Sequence, residues 1–245
     1  MHGERMQVTM TASPSSKSEL HTGSYSAAGT LLGVLLSGPV AVALVGMTHP
    51  QPPWQGAEVF ARSYHPIQML PYLGGIVLVV ALVGLSASVH AMARDEHKVR
   101  TQIALVLTGV FATLIFFNYV VQTTFLPDLA RNFEDRSAPV IAAFSMANPK
   151  SLAWGIEMWG WGLLGVATWL IAPVFHGNRL ERATALAFIL NGPISIAGAI
   201  WTVASPGWVL TSTGLVAFAL WNALLALMAA LALAAFRRRG LSSPN

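Results

Sequence analysis

Six apolar segments, each near the length of a membrane-spanning helix, constrain the fold of this chain more than any other feature. About 20 consecutive apolar residues cover the roughly 30 Å of hydrocarbon in a bilayer. Hydrocarbon offers no water to backbone N–H and C=O groups, so each segment must satisfy these groups internally as a helix. The sequence therefore predicts an all-α, polytopic membrane helix bundle with six transmembrane helices. Their expected bounds are about 25–48, 67–91, 101–126, 151–175, 183–204 and 207–236.

A single membrane domain, residues 25–239, is expected between two polar tails. Residues 1–24 are rich in Ser and Thr and are predicted to be disordered, because they lack the apolar residues that a packed core needs. Residues 240–245 form a short second tail. Two longer connecting segments, 49–66 and 127–150, mix charged with aromatic residues. Each is expected either to carry a short helix in the membrane interface or to be a solvated loop.

The distribution of Lys and Arg predicts how the helices are oriented. Of the 14 Lys and Arg residues, only Arg62, Arg131, Arg136 and Lys150 lie on the side that holds the two longer connecting segments. The others lie in the tails and in the remaining loops. Because cytoplasmic loops carry the excess of Lys and Arg, both termini are expected in the cytoplasm of a bacterium, with the protein in its inner membrane. The same distribution explains the pI of about 9.9 without a nucleic-acid partner.

The residue types that are absent narrow the possible chemistry. The chain has no cysteine, which excludes disulfides, thiolate metal sites and a cysteine nucleophile. No HExxH, GxSxG or Walker-type motif occurs in it. We therefore predict no cofactor and no metal site. An enzyme is the less favoured class, although these absences do not exclude one.

Glu157 is the only Asp, Glu, Lys or Arg within the six predicted segments. A charged side chain at mid-membrane costs roughly 2.5–3.5 kcal/mol on insertion scales, so Glu157 is expected to face the bundle interior. Trp154 and Trp161 fall on the same helical face, three residues before it and four after it. Trp159 points away and is expected to pack or to face lipid. This pattern predicts a carboxyl group between two indoles.

The preceding segment offers hydrogen-bond partners at a similar depth. In "NYVVQ", Asn118 and Gln122 are four residues apart and share a helical face. At 1.5 Å per residue, Glu157 lies at a depth between theirs. We expect both amides within reach of the carboxyl group. Tyr119 is about 100° further round the helix and is a weaker candidate.

Three interpretations of this site remain open at the level of sequence. The carboxyl group locks two helices together in a non-catalytic scaffold, or it anchors a small amphipathic or cationic ligand or lipid among aromatic faces, or it takes part in proton-linked transport or in intramembrane acid–base chemistry. The expected partners are the lipid bilayer and such a ligand. A homodimer through a face rich in small residues is a further alternative, and its candidate positions are Gly29, Gly33, Ala226, Ala230 and Ala234.

Three stretches, "NYVVQ", "NPKSLAWGIEMWGWG" and "APVFHGNRLERA", together resemble a bacterial family of six-helix integral membrane proteins of unknown function. The resemblance covers roughly residues 100–185. It implies six spans and implies that this region is one unit. It implies no activity and assigns no role to any residue.

Overall fold

The computed structural model describes residues 17–242, with side chains as far as Leu241, and all regular secondary structure in this range is helical. This confirms the predicted all-α class. Six helical units within the range are long and apolar enough to cross a membrane, which confirms the predicted number of spans. In chain order, spans 1 to 6 are Lys17–Thr48, Pro66–Ala91, Asp95–Arg131, Leu152–Val174, Arg179–Ala204 and Ser212–Leu241.

Two of these spans are interrupted by a π-helical turn. Leu36–Val40 interrupts span 1, and Val121–Phe125 interrupts span 3. Short 3-10 turns at Pro66–Met69 and Trp208–Leu210 lead into the long helices of spans 2 and 6. The α-helices of the described chain are α1 (Lys17–Leu35), α2 (Ala41–Thr48), α3 (Ala57–Ser63), α4 (Leu70–Ala91), α5 (Asp95–Val120), α6 (Leu126–Arg131), α7 (Ala138–Phe144), α8 (Leu152–Ile171), α9 (Arg179–Ala204) and α10 (Ser212–Ser242).

The helices at both ends of the chain extend into the predicted polar tails. Residues 1–16 of the first tail lie outside the described residues, but residues 17–24 form the first turns of α1. Leu20 is buried there, and Gly23 leaves room for the ring of Phe236 at the other end of the chain. This contact with α10 explains why α1 begins before the apolar run does. At the C-terminal end, α10 continues to Ser242.

The six spans pack as a ring that follows chain order. Each span packs against the next one, and span 6 returns to span 1 through α1 and α10. Such a ring leaves its interior to be filled by side chains or to remain as a cavity. One end of the ring, where α1 begins and α10 ends, is filled by a core that includes Leu82, Leu85 and Phe188. We call it the basic end, because most of the Lys and Arg residues lie there.

The basic end is closed by an ion pair that connects three spans. Arg239 Nε in α10 donates to Glu181 Oε1 in α9 at 2.7 Å, and Arg239 Nη2 donates to the carbonyl oxygen of Val174 at 3.0 Å. Its guanidinium carbon lies 5.6 Å from the centroid of the Phe175 ring. Glu181 Oε2 accepts a further hydrogen bond from the Gly177 backbone N–H at 2.8 Å. The C-terminal end of span 6 is therefore fixed to the adjoining ends of spans 4 and 5.

The opposite end carries short helices in both of the longer connecting segments. α3 lies in segment 49–66, whereas α6 and α7 lie in and beside segment 127–150. Their apolar faces meet in a second small core that includes Phe60, Leu126 and Ile141. Of the two alternatives that the sequence left open for these segments, the structure therefore shows short helices.

The glycine pair proposed as a dimer face is used within the chain. Gly33 lies against the backbone of Leu78 in α4, and a Cβ added at Gly29 would lie 3.1 Å from Ala81 Cβ. Close approach of this kind is what small residues permit between membrane helices. In α10, Ala230 is exposed. A homodimer through the alanine face stays a prediction.

Arg239→Met tests the ion pair at the basic end. This substitution keeps an unbranched apolar stem but leaves Glu181 without its basic partner. Hydrogen bonds to charged groups contribute about 1.5–3 kcal/mol each, so we expect the free energy of unfolding to fall by about 2 kcal/mol. Unfolding by dodecyl sulfate in mixed micelles measures this. Arg237→Met, at an exposed position two residues earlier, is the matched control. Equal stability of the two variants would contradict the assignment.

Candidate functional site

Glu157 lies in the second turn of α8, and its side chain points into the bundle with only 7% of the residue exposed. Three donors converge on its carboxyl group. Asn118 Nδ2 donates to Oε2 at 2.9 Å, whereas Tyr119 Oη and Trp161 Nε1 each donate to Oε1 at 2.8 Å. The predicted inward orientation of Glu157 is therefore confirmed, as is its contact with span 3.

Asn118 is the amide that reaches the carboxyl group, and it is itself held in place. It is 1% exposed, and its Nδ2 is also 3.3 Å from the carbonyl oxygen of Ala153 in α8. Both contacts join α5 to α8. The structure thus places Asn118 where the sequence predicts it.

Gln122 makes no hydrogen bond to Glu157, so the expectation that both amides reach the carboxyl group is wrong for this residue. Its Nε2 donates to Asn118 Oδ1 at 3.3 Å and to the Phe144 carbonyl oxygen at 2.8 Å. Its Oε1 accepts from the Met146 backbone N–H at 3.2 Å. Gln122 therefore positions Asn118 and fixes the segment before α8. The π-helical turn that begins at Val121 explains the difference, because a wider turn shifts the angular position of residues spaced by four.

Tyr119 is a direct partner of the carboxyl group, although the sequence ranked it lower. Its ring is buried and packs against Tyr72 of α4, with the ring centroids 5.6 Å apart. Adjacent residues on a helix diverge by about 100°, yet Asn118 and Tyr119 approach Glu157 from both sides. The long phenol bridges the difference in direction. The sequence signal for this role was the position of Tyr119, directly after Asn118 and at nearly the same depth as Glu157.

The two predicted tryptophans have different roles. Trp161 donates to Glu157 and packs against Phe111 of α5 and Trp221 of α10, with both pairs of ring centroids 4.7 Å apart. Trp154 makes no hydrogen bond to the carboxyl group, because its indole N–H donates to the Met146 carbonyl oxygen at 3.0 Å. The carboxyl group is therefore flanked by one indole and one phenol.

A cavity of about 950 Å³ occupies the end of the ring opposite the basic end. It is lined by residues of all six spans and of the segments that connect them at this end. Four of the five residues proposed as a site line it, namely Gln122, Trp154, Glu157 and Trp161, whereas Asn118 lies behind them. A pocket beside Glu157 is what the ligand interpretation of the sequence implies, whereas its size and its contributions from all six spans depend on how far each pair of helices diverges.

The cavity wall is mainly apolar and aromatic, with a few polar groups. Tyr72, Tyr119 and Trp221 line it beside Glu157. The Trp221 indole N–H donates to Ser195 Oγ of α9 at 3.1 Å. Tyr72 and Trp221 were not identified from the sequence as residues of the site, because their segments contain no charged residue and no other feature that distinguishes them from lipid-facing spans.

Glu157 is the only charged residue among those that line the cavity in the described part of the chain. Within residues 17–242, none of the ion pairs involves it. No group of three or more His, Asp or Glu side chains able to hold a metal ion occurs in the same range. An ionised carboxyl group here is balanced by hydrogen bonds from neutral donors alone.

Comparisons of this chain with protein-family models, with curated proteins and with solved structures give no match. The resemblance to a family of six-helix membrane proteins therefore stays a prediction. The fold itself defines a multi-pass membrane protein, and the cavity with its single carboxyl group is the feature from which a function can be argued.

Tyr119→Phe tests whether the hydrogen bonds to Glu157 hold α5 against α8. The change removes one donor and keeps the ring. We expect the free energy of unfolding in mixed micelles to fall by about 1–3 kcal/mol, because a buried carboxyl oxygen loses one of its hydrogen-bond donors. Tyr25→Phe is the matched control, since Tyr25 is 77% exposed. If Tyr119→Phe is no less stable than Tyr25→Phe, the hydrogen bond does not contribute to stability.

Proposed function

We propose that this protein binds a small amphipathic or cationic ligand in the cavity around Glu157. The observation that carries the proposal is a lone carboxyl group in the wall of a cavity that has no other acidic or basic side chain among its described lining residues and is mainly apolar, with several aromatic rings. The volume falls within the range of about 300–1,000 Å³ that is usual for ligand pockets. A few polar groups in an apolar wall are also typical of such pockets.

The chemistry of the wall favours a cation. The three partners of Glu157 are all donors, and an ionised carboxylate accepts every one of them, whereas a carboxylic acid would add a fourth hydrogen that needs an acceptor. The ionised form carries a negative charge that no described basic side chain neutralises. Aromatic faces attract cations by about 0.5–2 kcal/mol each, and Trp161, Trp221 and Tyr119 supply such faces beside the carboxylate.

The sequence also left open a scaffold role and transport. A scaffold accounts for the hydrogen bonds of Glu157, which join α5 to α8, but it gives no reason for a cavity beside them. Transport requires access from both sides of the membrane. The core at the basic end and the ion pair of Arg239 with Glu181 close the route to that side, so transport requires a second conformation in which both are opened, whereas binding requires none.

We further propose that the protein lies in the inner membrane of a bacterium with both termini in the cytoplasm. The support is the excess of Lys and Arg at the basic end. In this orientation the cavity lies in the outer half of the membrane.

Glu157→Gln tests the proposal in purified protein. We expect dodecyltrimethylammonium to raise the midpoint of thermal unfolding of the wild type in nanodiscs, and Glu157→Gln to weaken its binding about tenfold or more, because the charge attraction is lost. A neutral dodecyl maltoside and an anionic dodecyl sulfate serve as probes of the same chain length. Intrinsic tryptophan fluorescence gives a second measure of affinity, since Trp161 and Trp221 line the cavity.

Glu58→Gln is the matched control, because Glu58 is an exposed carboxyl group of α3 at the same end of the molecule. It should bind the ammonium probe as the wild type does. Equal binding by Glu157→Gln and Glu58→Gln, with Glu157→Gln shown to be folded by its thermal transition, would overturn the proposal. Equal binding of all three headgroups by the wild type would overturn it as well.

A further inference from the structure

We infer that the cavity opens sideways into the bilayer between α2 and the first turns of α10, so that its ligand is a long-chain cationic amphiphile. In this arrangement the ammonium group lies at Glu157 and the alkyl chain leaves through the opening. The position of the ammonium group in this inference rests on the proposed function. The inference adds the route by which the ligand enters and the requirement that the ligand has a long alkyl chain.

The first observation is the break in span 1. Gly38 has φ −96° and ψ −106°, which is not helical, and it lies in the π-helical turn Leu36–Val40. The next residue, Pro39, has no backbone N–H to continue the helix. A helix interrupted in this way bends, so α2 does not continue along the axis of α1.

The second observation is that the partner of span 1 changes at this break. α1 packs along α10 and α4, whereas beyond the break the described contacts of α2 are mainly with α4, and none of comparable extent joins it to α10. Span 1 and α10 still meet at the break itself, where a Cβ added at Gly38 would lie 2.9 Å from Asn222 Oδ1. Beyond this crossing the two helices diverge, and the ring of spans is open on that side.

The third observation is that side chains on both sides of this gap line the cavity and are about half exposed. Val42 of α2 is 56% exposed, and Leu215 and Phe218 of α10 are 56% and 47% exposed. Because no further span of the described chain packs between α2 and these turns of α10, this part of the wall is the opening that we infer. We call the gap bounded by α2 and by residues 212–222 of α10 the lateral slot.

The depth of the lateral slot matches that of the carboxyl group. At 1.5 Å per residue, Val42 lies about 9 Å from the end of α2, and Phe218 lies about 9 Å from the start of α10. Glu157 lies about 8 Å from the start of α8 by the same count. A molecule whose head is at Glu157 therefore has its chain at the level of the slot, and the slot faces hydrocarbon.

The single acidic residue of the described cavity wall, and the absence of basic ones there, favour one class of amphiphile as the ligand. In the described part of the chain no Lys, Arg or His lines the cavity, so a phosphate group would enter without a basic partner. Burial of an unpaired ion is costly. A long-chain amine or quaternary ammonium compound without a phosphate fits the wall better than a phospholipid does.

Gly46→Trp tests the lateral slot. Gly46 lines the cavity from α2 and has open space around it, so the indole fills the slot without a clash inside the protein. Gly109→Trp is the matched control, because Gly109 is exposed on α5, is also surrounded by open space, and does not line the cavity. Wild type and both variants are compared in nanodiscs of one lipid composition, with dodecyltrimethylammonium and with tetramethylammonium, which has no chain.

We expect Gly46→Trp to weaken binding of dodecyltrimethylammonium about tenfold, as obstruction of a packed chain does, and to leave tetramethylammonium unaffected. Gly109→Trp should bind both probes as the wild type does. If Gly46→Trp and Gly109→Trp bind the long-chain probe equally, while Glu157→Gln weakens the binding of both probes, the inference of a lateral slot is wrong and the proposed cation site stands. If Glu157→Gln affects neither probe, the proposed function itself fails.

A photoreactive diazirine at the end of the dodecyl chain tests the same inference in the unmodified protein. Irradiation of the complex should label peptides from residues 41–48 or 212–222. Competition by excess tetramethylammonium should reduce the labelling, because both compounds share the head position. The inference of the lateral slot would be overturned if tetramethylammonium still reduced the labelling but all labelled peptides came from other spans. The alkyl chain of the probe would then lie elsewhere.

Discussion

A carboxyl group within a membrane must obtain its hydrogen bonds from the protein, and the cavity end of this molecule is organised around that requirement. Glu157 receives donors from two residues of α5 and one of its own helix. These bonds fix spans 3 and 4 at one separation and orientation. Gln122 extends the network to the backbone before α8, so the start of span 4 is held as well. One wall of the cavity is therefore rigid.

The order of the spans around the ring explains why the opposite wall of the cavity is open. Each span packs against two neighbours, and most of the helices do so over much of their length. Span 1 is broken at Gly38 and Pro39, so its two halves cannot both follow α10. The half at the basic end packs there, where the ion pair of Arg239 and Glu181 also closes the bundle. The gap in the ring then falls at the other end, facing the rigid wall that carries Glu157.

Much of the fold was accessible from the sequence, and the reason is the bilayer itself. Length and hydropathy determine the spans, and the cost of a charge in lipid determines that Glu157 turns inward. Helical spacing then identified Asn118. It misplaced Gln122, because a π-helical turn is set by backbone hydrogen bonding that side-chain periodicity does not reveal. The ion pair of Arg239 with Glu181 joins residues 58 positions apart, and the cavity depends on helix divergence, so neither leaves a local pattern.

The hydrogen bonds of Glu157 and its proposed binding of a cation are complementary, because neutral donors stabilise a charge without cancelling it. An Arg or Lys partner would neutralise the carboxylate and leave nothing for a ligand. Asn118, Tyr119 and Trp161 instead hold the carboxylate by dipoles and keep its direction fixed. A binding group that is ordered before the ligand arrives loses little conformational entropy on binding. The same three bonds that join α5 to α8 therefore also hold the carboxyl group in one orientation at the cavity wall, where its ionised form would meet a cationic ligand.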